Sequence, residues 1–416
     1  MSGALSHLRV LDLSRVLAGP WCGQNLADLG AEVIKVERPK VGDDTRHWGP
    51  PYLRDGEGRD TSEAAYFLAA NRNKQSLTLD FTQAEGQRLV RELAAKSDIL
   101  IENFKVGGLE AYGLDYASLK AINPRLIYCS ITGFGQNGPY AKRAGYDFMI
   151  QGLGGLMSLT GQPDSGEGGE GGEGGEGGGP VKVGVALTDI LTGLYATVAV
   201  LAALAHRDKT DEGQHIDMAL LDVQVACLAN QAMNYLTTGV SPKRLGNAHP
   251  NIVPYQAFPT ADGDLILTVG NDSQFRKFCE VAGHPEWGLD PRFASNGQRV
   301  AHRAELIPLI RQATVFRTTA QWVSLLEAAG VPCGPVNDLQ QVFADPQVIA
   351  RGLRLDLPHP LAGNTPQVAS PLRLSASPVE YRQAPPLLGE HTERVLGEVL
   401  GLDAAQIQAL RAQGVI

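Results

Sequence analysis

The chain has 416 residues, 43% hydrophobic and 19% charged, with a formal net charge of −9. That length exceeds what one hydrophobic core usually supports, so two lobes with a sizeable interior are expected. An acidic chain with scattered basic residues has no face for a phosphate backbone, which argues against a nucleic-acid partner.

Five cysteines, widely spaced and never paired as CxxC, fit neither a disulfide framework nor a zinc site. A reducing, cytoplasmic setting is the expectation, and "MSGALSHLRVLDLS" carries no basic-then-apolar leader.

In the first third, short aliphatic and β-branched runs alternate with helical patterns. "LRVLDLS" (8–14), "AEVIKVE" (31–37), "SLTLDF" (76–81), "DILIENF" (98–104) and "LIYCSITGF" (126–134) read as strands, and "QAEGQRLVRELAAKS" (83–97) as a helix. This alternation predicts an α/β domain with a mostly parallel sheet, its ligand site beyond the carboxyl ends of the strands, at the loops after Ser14, Glu37 and Phe104.

Residues 164–180 are rich in Gly and Glu and read as a surface loop; cation binding by Glu167, Glu170, Glu173 and Glu176 is disfavoured, since a glycine backbone holds ligands poorly. Next comes an apolar run, Ile190 to Leu204, shorter than the roughly 20 residues that span hydrocarbon and interrupted by Thr192, Gly193 and Thr197. A buried core helix is expected there, and no membrane partner. A strand signal at "GQHIDMAL" leads into a second long helix, and "GDLILTVGNDSQFRKFCEVAG" (263–283) opens another strand–helix segment, with helices near 301–314 and 319–329. The division expected is a large Rossmann-like domain over 1–224, a small domain over 225–330, and a tail over 331–416 that returns to helix at "HTERVLGEVLGL".

Asp189 stands at the mouth of the apolar run. Beside Thr188 it occupies an N-cap position, where Asp is preferred. It equally suits a carboxylate nucleophile, kept ionised by the helix dipole and stripped of water by apolar neighbours. No rival constellation is present: GxSxG, GxxxxGK[ST] and HExxH are missing, and the first strand–turn–helix lacks GxGxxG. His249 in "GNAHPN" reads as a structural hydrogen-bonder, or else a general base or substrate donor, and Cys333 in "VPCGPV" as part of a tight turn.

The stretches "LRVLDLSRVLAGPWCGQNLADLGAEVIKVERPKVGDDTR", "NRNKQSLTLD", "ILIENFKVGGLEAYGLDY", "NPRLIYCSITGFGQNGPY", "GYDFMIQGLGGLMSLTG", "GVPCGPV" and "PLLGEHT" resemble the class III CoA-transferases, the group of formyl-CoA transferase and carnitine CoA-transferase. The resemblance runs from about residue 5 to 400. It implies a large Rossmann-like domain made from both chain ends, a small middle domain, and a homodimer of interlocked rings. It places Asp189 on the nucleophilic aspartate, working through an aspartyl anhydride and an aspartyl-CoA thioester, with acyl-CoA and a carboxylic acid as substrates and no permanent cofactor or metal. By the same resemblance Val16 and Ala18, Arg38, and Leu79, Asn103 and Phe104 meet coenzyme A. Arg46, Arg72 and Lys74 are further cation candidates.

Two departures bear on substrate choice. Arg15 stands where the family has a histidine, followed by Leu17 where formyl-CoA transferase has a glutamine, and "GNAHPNIVPYQ" (246–256) replaces that enzyme's glycine-rich loop, which argues against oxalate or formate as the substrate. Arg15 suits an acceptor with a second acid group, such as succinate, glutarate or a sulfur analogue, or else pairs within the protein. The family also contains α-methylacyl-CoA racemases, whose "GHD" motif reads "GYD" here; a tyrosine is a poor base at neutral pH, which favours transfer over racemisation and leaves Tyr146 to line the substrate pocket or pack in the core. A non-catalytic CoA-binding paralogue is the third reading.

Overall fold

The computed structural model describes residues 3–163 and 178–416. Glu167, Glu170, Glu173 and Glu176, with most of the Gly/Glu-rich stretch, lie outside the described residues. The chain forms two compact units, one of residues 1–156, 183–233 and 347–416, the other of 157–182 and 234–346.

The first unit is built on a parallel sheet of six strands: β1 (Arg9–Asp12), β2 (Glu32–Glu37), β3 (Lys74–Thr78), β4 (Ile99–Glu102), β5 (Ile127–Thr132) and β6 (His215–Ala219), in the order β3-β2-β1-β4-β5-β6. This is the doubly wound order, in which the crossovers change direction between β1 and β4 and leave a crevice at the carboxyl ends of those strands. The inner strands β1, β2, β4 and β5 are largely apolar and buried because both faces are covered, whereas the outer strands β3 (KQSLT) and β6 (HIDMA) are more polar. Leu11, Ile34, Leu100 and Tyr128 turn one way, into a core shared with helix α2 (Ala84–Ala95) and with Val395, Leu396, Ile407 and Leu410 from the C-terminal segment. Their neighbours Val10, Val33, Ile99 and Ile127 turn the other way, against helices α1 (Ala18–Asp28) and α4 (Leu187–Thr210).

Helix α4 is 24 residues long and, by length and composition, apolar enough to cross a membrane; half of its apolar window is buried inside the protein. It packs on α1, where a side chain at Gly193 would collide with the carbonyl of Ala18 and the ring of Trp21. That contact, and an acid in its first turn, mark a core helix.

The second long helix expected after β6 is broken: Leu220–Ala226 and Ala229–Thr238 are separate, the chain turning at Ala229 with a φ of 45°. In the second unit, Tyr255–Pro259, Asp264–Thr268 and Cys333–Pro335 form an antiparallel sheet covered by helices that include Asp272–Ala282 and Thr319–Ala328. Cys333 thus belongs to an edge strand and not to a tight turn; Pro335 is tolerated because an edge strand needs fewer donors. A hairpin, Arg354–His359 with Gly363–Val368, was not legible in the Pro-rich tail.

Candidate active site

A cavity of about 1080 Å³ opens in the first unit over the crevice between β1 and β4. Its walls come from the loops after β1 (Arg15, Val16, Leu17), β2 (Arg38, Gly42, Asp43), β3 (Leu79, Asp80, Phe81) and β4 (Asn103, Phe104, Lys105), closed by Tyr146 and Asp189. The expected loops therefore meet at one place.

Charged groups on the wall and behind it are locked, and Lys74, one of the cation candidates, lies behind it and not on it. Lys74, fully buried, bonds to Asp12 Oδ2 at 2.9 Å, the carbonyl of Pro20 at 2.9 Å and Asn71 Oδ1 at 3.0 Å. Lys35, equally buried, pairs with Asp43 at 2.8 Å and donates to the carbonyl of Ser14 at 2.8 Å. Burial opposes its charge, but Asp43, Asp12 and Glu37 outweigh burial and push its pKa above the usual lysine value. These ties hold the loop after β1 in an unusual shape: Val16, a β-branched residue, has a φ of 71°. Its N–H reaches Asp43 Oδ1 at 3.3 Å, while Asn103 clamps the backbone of Arg15 from both sides, at 2.9 and 2.6 Å. Strain of this kind persists where the surroundings over-determine it.

Three buried carboxylates face the cavity. Glu37 is held by Arg46 and Asp43 by Lys35, whereas Asp189, 8% exposed, has no cation and accepts no hydrogen bond among the described residues. Burial, and then the charge of Asp147, raise its pKa to about 7. Asp189 is also not the cap of its helix. It is the third residue of α4, Ala186 occupies the cap position without a side-chain bond, and the first-turn N–H groups of Thr188 and Asp189 go to Asp147 Oδ1 at 2.8 and 3.3 Å. The expected ionisation by the dipole is overridden, because Asp147 takes those donors and burial wins.

Arg15, Val16, Ala18, Arg38, Leu79, Asn103, Phe104 and Tyr146 all line the cavity with Asp189. Tyr146 is 64% exposed and so does not pack in the core. Arg38 is exposed and makes no ion pair among the described residues. Arg15 bonds to Asp44 at 3.1 Å and lies 5.3 Å over the ring of Phe104.

Arg46 and Arg72 are absent from the wall. Arg46 spans Glu37 at 2.8 Å and Glu63 at 3.3 Å beneath it, and Arg72 grips Asp28 with two nitrogens, at 2.9 and 2.6 Å, and the carbonyl of Val368. Both are buried guanidiniums saturated by the protein's own acceptors. His249 belongs to the second unit, where its Nδ1 accepts the N–H of Asn251 at 3.1 Å and its ring tilts against Tyr255. Sequence reasoning missed Lys35, Asp43, Asp147 and the aromatic wall of Phe81 and Tyr112; the one visible signal was a lysine inside the apolar run of β2.

A family profile described as CoA-transferase family III matches residues 5–392. The chain is a family III CoA-transferase. Its similarity to the succinate–glutarate CoA-transferase of Agrobacterium fabrum is 53% identity over 395 residues, 95% of both chains. To the human succinyl-CoA:glutarate CoA-transferase it is 43% over 412 residues, 99% of this chain and 90% of the other. A solved CAIB/BAIF family protein from Brucella suis superposes with a TM-score of 0.82 at 52% identity, covering 96% of this CoA-transferase and all of that chain. Acyl-CoA is thus a substrate for this enzyme.

Proposed function

We propose that the enzyme moves coenzyme A from succinyl-CoA to a dicarboxylic acid such as glutarate, with Asp189 as the nucleophile. The observation that carries this reading is Asp189 itself: a buried carboxylate with no cation among the described residues, on the wall of a cavity that also presents the exposed Arg38. The names of the relatives above support the substrate pair.

In this scheme an Asp189 oxygen attacks the succinyl thioester carbon, giving a succinyl-aspartyl anhydride and CoA thiolate. The thiolate attacks the aspartyl carbonyl, releasing succinate and leaving an aspartyl-CoA thioester. Glutarate attacks that thioester, expelling the thiolate again, and the thiolate then takes the glutaryl group and frees Asp189. Covalent catalysis divides one hard exchange into easier steps. The aromatic group of Phe81, Phe104 and Tyr112, with Leu79, offers an adenine slot, and Arg38 a phosphate partner, while Val16, Ala18 and Asn103 shape the loop beside the pantetheine arm.

Arg15 meets the distal carboxylate of either acid. Its pair with Asp44 is half-exposed, so an incoming carboxylate replaces it at little cost. A panel of acceptors with succinyl-CoA, followed by chromatography of CoA thioesters, tests this. Glutarate is expected to outpace butyrate, and Arg15→Ala to raise the KM for glutarate about 10- to 100-fold, the worth of a charged hydrogen bond. Equal rates for both acids would contradict the assignment.

The active species in this account is a homodimer. Leu194, Tyr195, Val198 and Leu201 of α4 form an exposed apolar stripe in the single chain, of the kind a second subunit covers.

A further inference from the structure

The helix that carries Asp189 begins without a cap of its own, and a residue 42 positions earlier supplies one. Asp147, which opens helix α3 (Asp147–Leu153), accepts the N–H groups of Thr188 and Asp189 with Oδ1 and the side-chain amide of Gln151 with Oδ2, the last at 2.7 Å. Gln151 in turn accepts the N–H of Val183 at 2.9 Å, and the Thr188 hydroxyl donates to Gln224 at 2.6 Å. Gln151, Thr188 and Gln224 are fully buried, so this clamp ties α3, the approach to α4 and the helix after β6 into one arrangement. Asp147 does not line the cavity.

We propose that Asp147 is a positioning residue for the transfer reaction: its carboxylate fixes the helix turn that aims Asp189 into the cavity and sets a like charge behind it. This rests on Asp189 being the nucleophile. The like charge adds to burial in holding Asp189 near neutrality. A more basic carboxylate is the stronger nucleophile once ionised. The other groups around the pair leave that role to Asp147. Tyr66 is pushed up to about 12 by burial and then by Asp189, Asp147 and Asp43, and stays neutral. Asp43 is paired with Lys35, and Thr188, Gln151 and Gln224 carry no charge.

The test is the pH dependence of kcat and KM for Asp147→Asn, read beside wild type with succinyl-CoA and glutarate. Asparagine keeps an oxygen for the two N–H groups but removes the charge. The acid limb of kcat/KM, near pH 7 in wild type, is expected to move down by about one unit. The plateau kcat is expected to fall about 10-fold, with the KM for succinyl-CoA within about 2-fold, because a small misplacement of a nucleophile is expensive. Asp147→Glu keeps the charge and shifts the oxygens: it is expected to retain the limb near pH 7 and lose kcat. That variant decides the matter if the asparagine form does not fold, since a wild-type kcat in Asp147→Glu overturns the positioning role. A wild-type profile and kcat in Asp147→Asn overturn it equally. Mapping of a covalent adduct on wild-type Asp189 separates the two readings: no adduct sinks the nucleophile, while an adduct together with an unchanged variant profile sinks only the role of Asp147.

Discussion

Replacement of Asp189 by asparagine is expected to lower CoA transfer from succinyl-CoA to glutarate by about 10⁴-fold or more, since the other two buried carboxylates on the cavity wall, Glu37 and Asp43, are tied up by Arg46 and Lys35. The same variant is expected to be the more stable protein above neutrality. The native fold raises the pKa of Asp189 from 3.8 to about 7, so it favours the protonated acid. Ionising it costs folding free energy, which begins as pH rises past the unfolded value of 3.8 and reaches its full size above about 7, at up to about 4 kcal/mol. Asp189→Asn therefore gains most at pH 8 and nothing near pH 3. Denaturant titrations at the two pH values check this; an advantage independent of pH would mean that the carboxylate is not strained by its site. The same pKa predicts that wild-type kcat/KM falls with unit slope below about pH 7, because the anion is the reactive form.

The second large effect concerns a residue that does not line the cavity. Arg46→Ala is expected to cost about 3–5 kcal/mol, the cost of leaving buried acids without their cation. Glu37 and Glu63 lose their partner at once, and the ring of Phe67 loses the guanidinium stacked 3.6 Å from its centroid. Glu37 also holds the N–H of Asp43 and the hydroxyl of Ser76, so the loop lining the cavity after β2 loosens with it. Urea unfolding measures the loss. Arg38→Ala, at an exposed residue with no ion pair among the described residues, serves as the control and is expected to leave the midpoint unchanged while weakening CoA binding. A midpoint in Arg46→Ala equal to wild type would return Arg46 to the list of substrate cations.

The difference between Arg38 and Arg46 shows where sequence reasoning stopped. Both follow β2, which opens on the crevice, Arg38 directly in the loop and Arg46 in a short 3₁₀ turn, Asp44–His47. What separates them is whether a carboxylate lies within hydrogen-bonding reach: Arg38 acts on Asp80 only at longer range, whereas the partners of Arg46 are 9 and 17 residues away, at distances only the fold defines. The inner strands were legible because a sheet covered on both faces demands largely apolar runs there. The start of α4 was visible too, but not which acid caps it. Asp189 and Asp147 lie in different segments, and their division of labour, one capping and one left unsatisfied, exists only when the two are brought together. The broken helix after β6 and the hairpin after residue 353 depend on backbone turns and long-range pairing, which leave little periodic trace.

Peptide mapping of wild-type protein and Asp189→Ala after brief exposure to succinyl-CoA tests the central claim most directly. A mass increase matching a CoA thioester or a succinyl group, on the peptide holding Asp189 and absent from the variant, is the predicted result. An adduct on any other residue, or transfer to glutarate at an undiminished rate by Asp189→Ala, would contradict it.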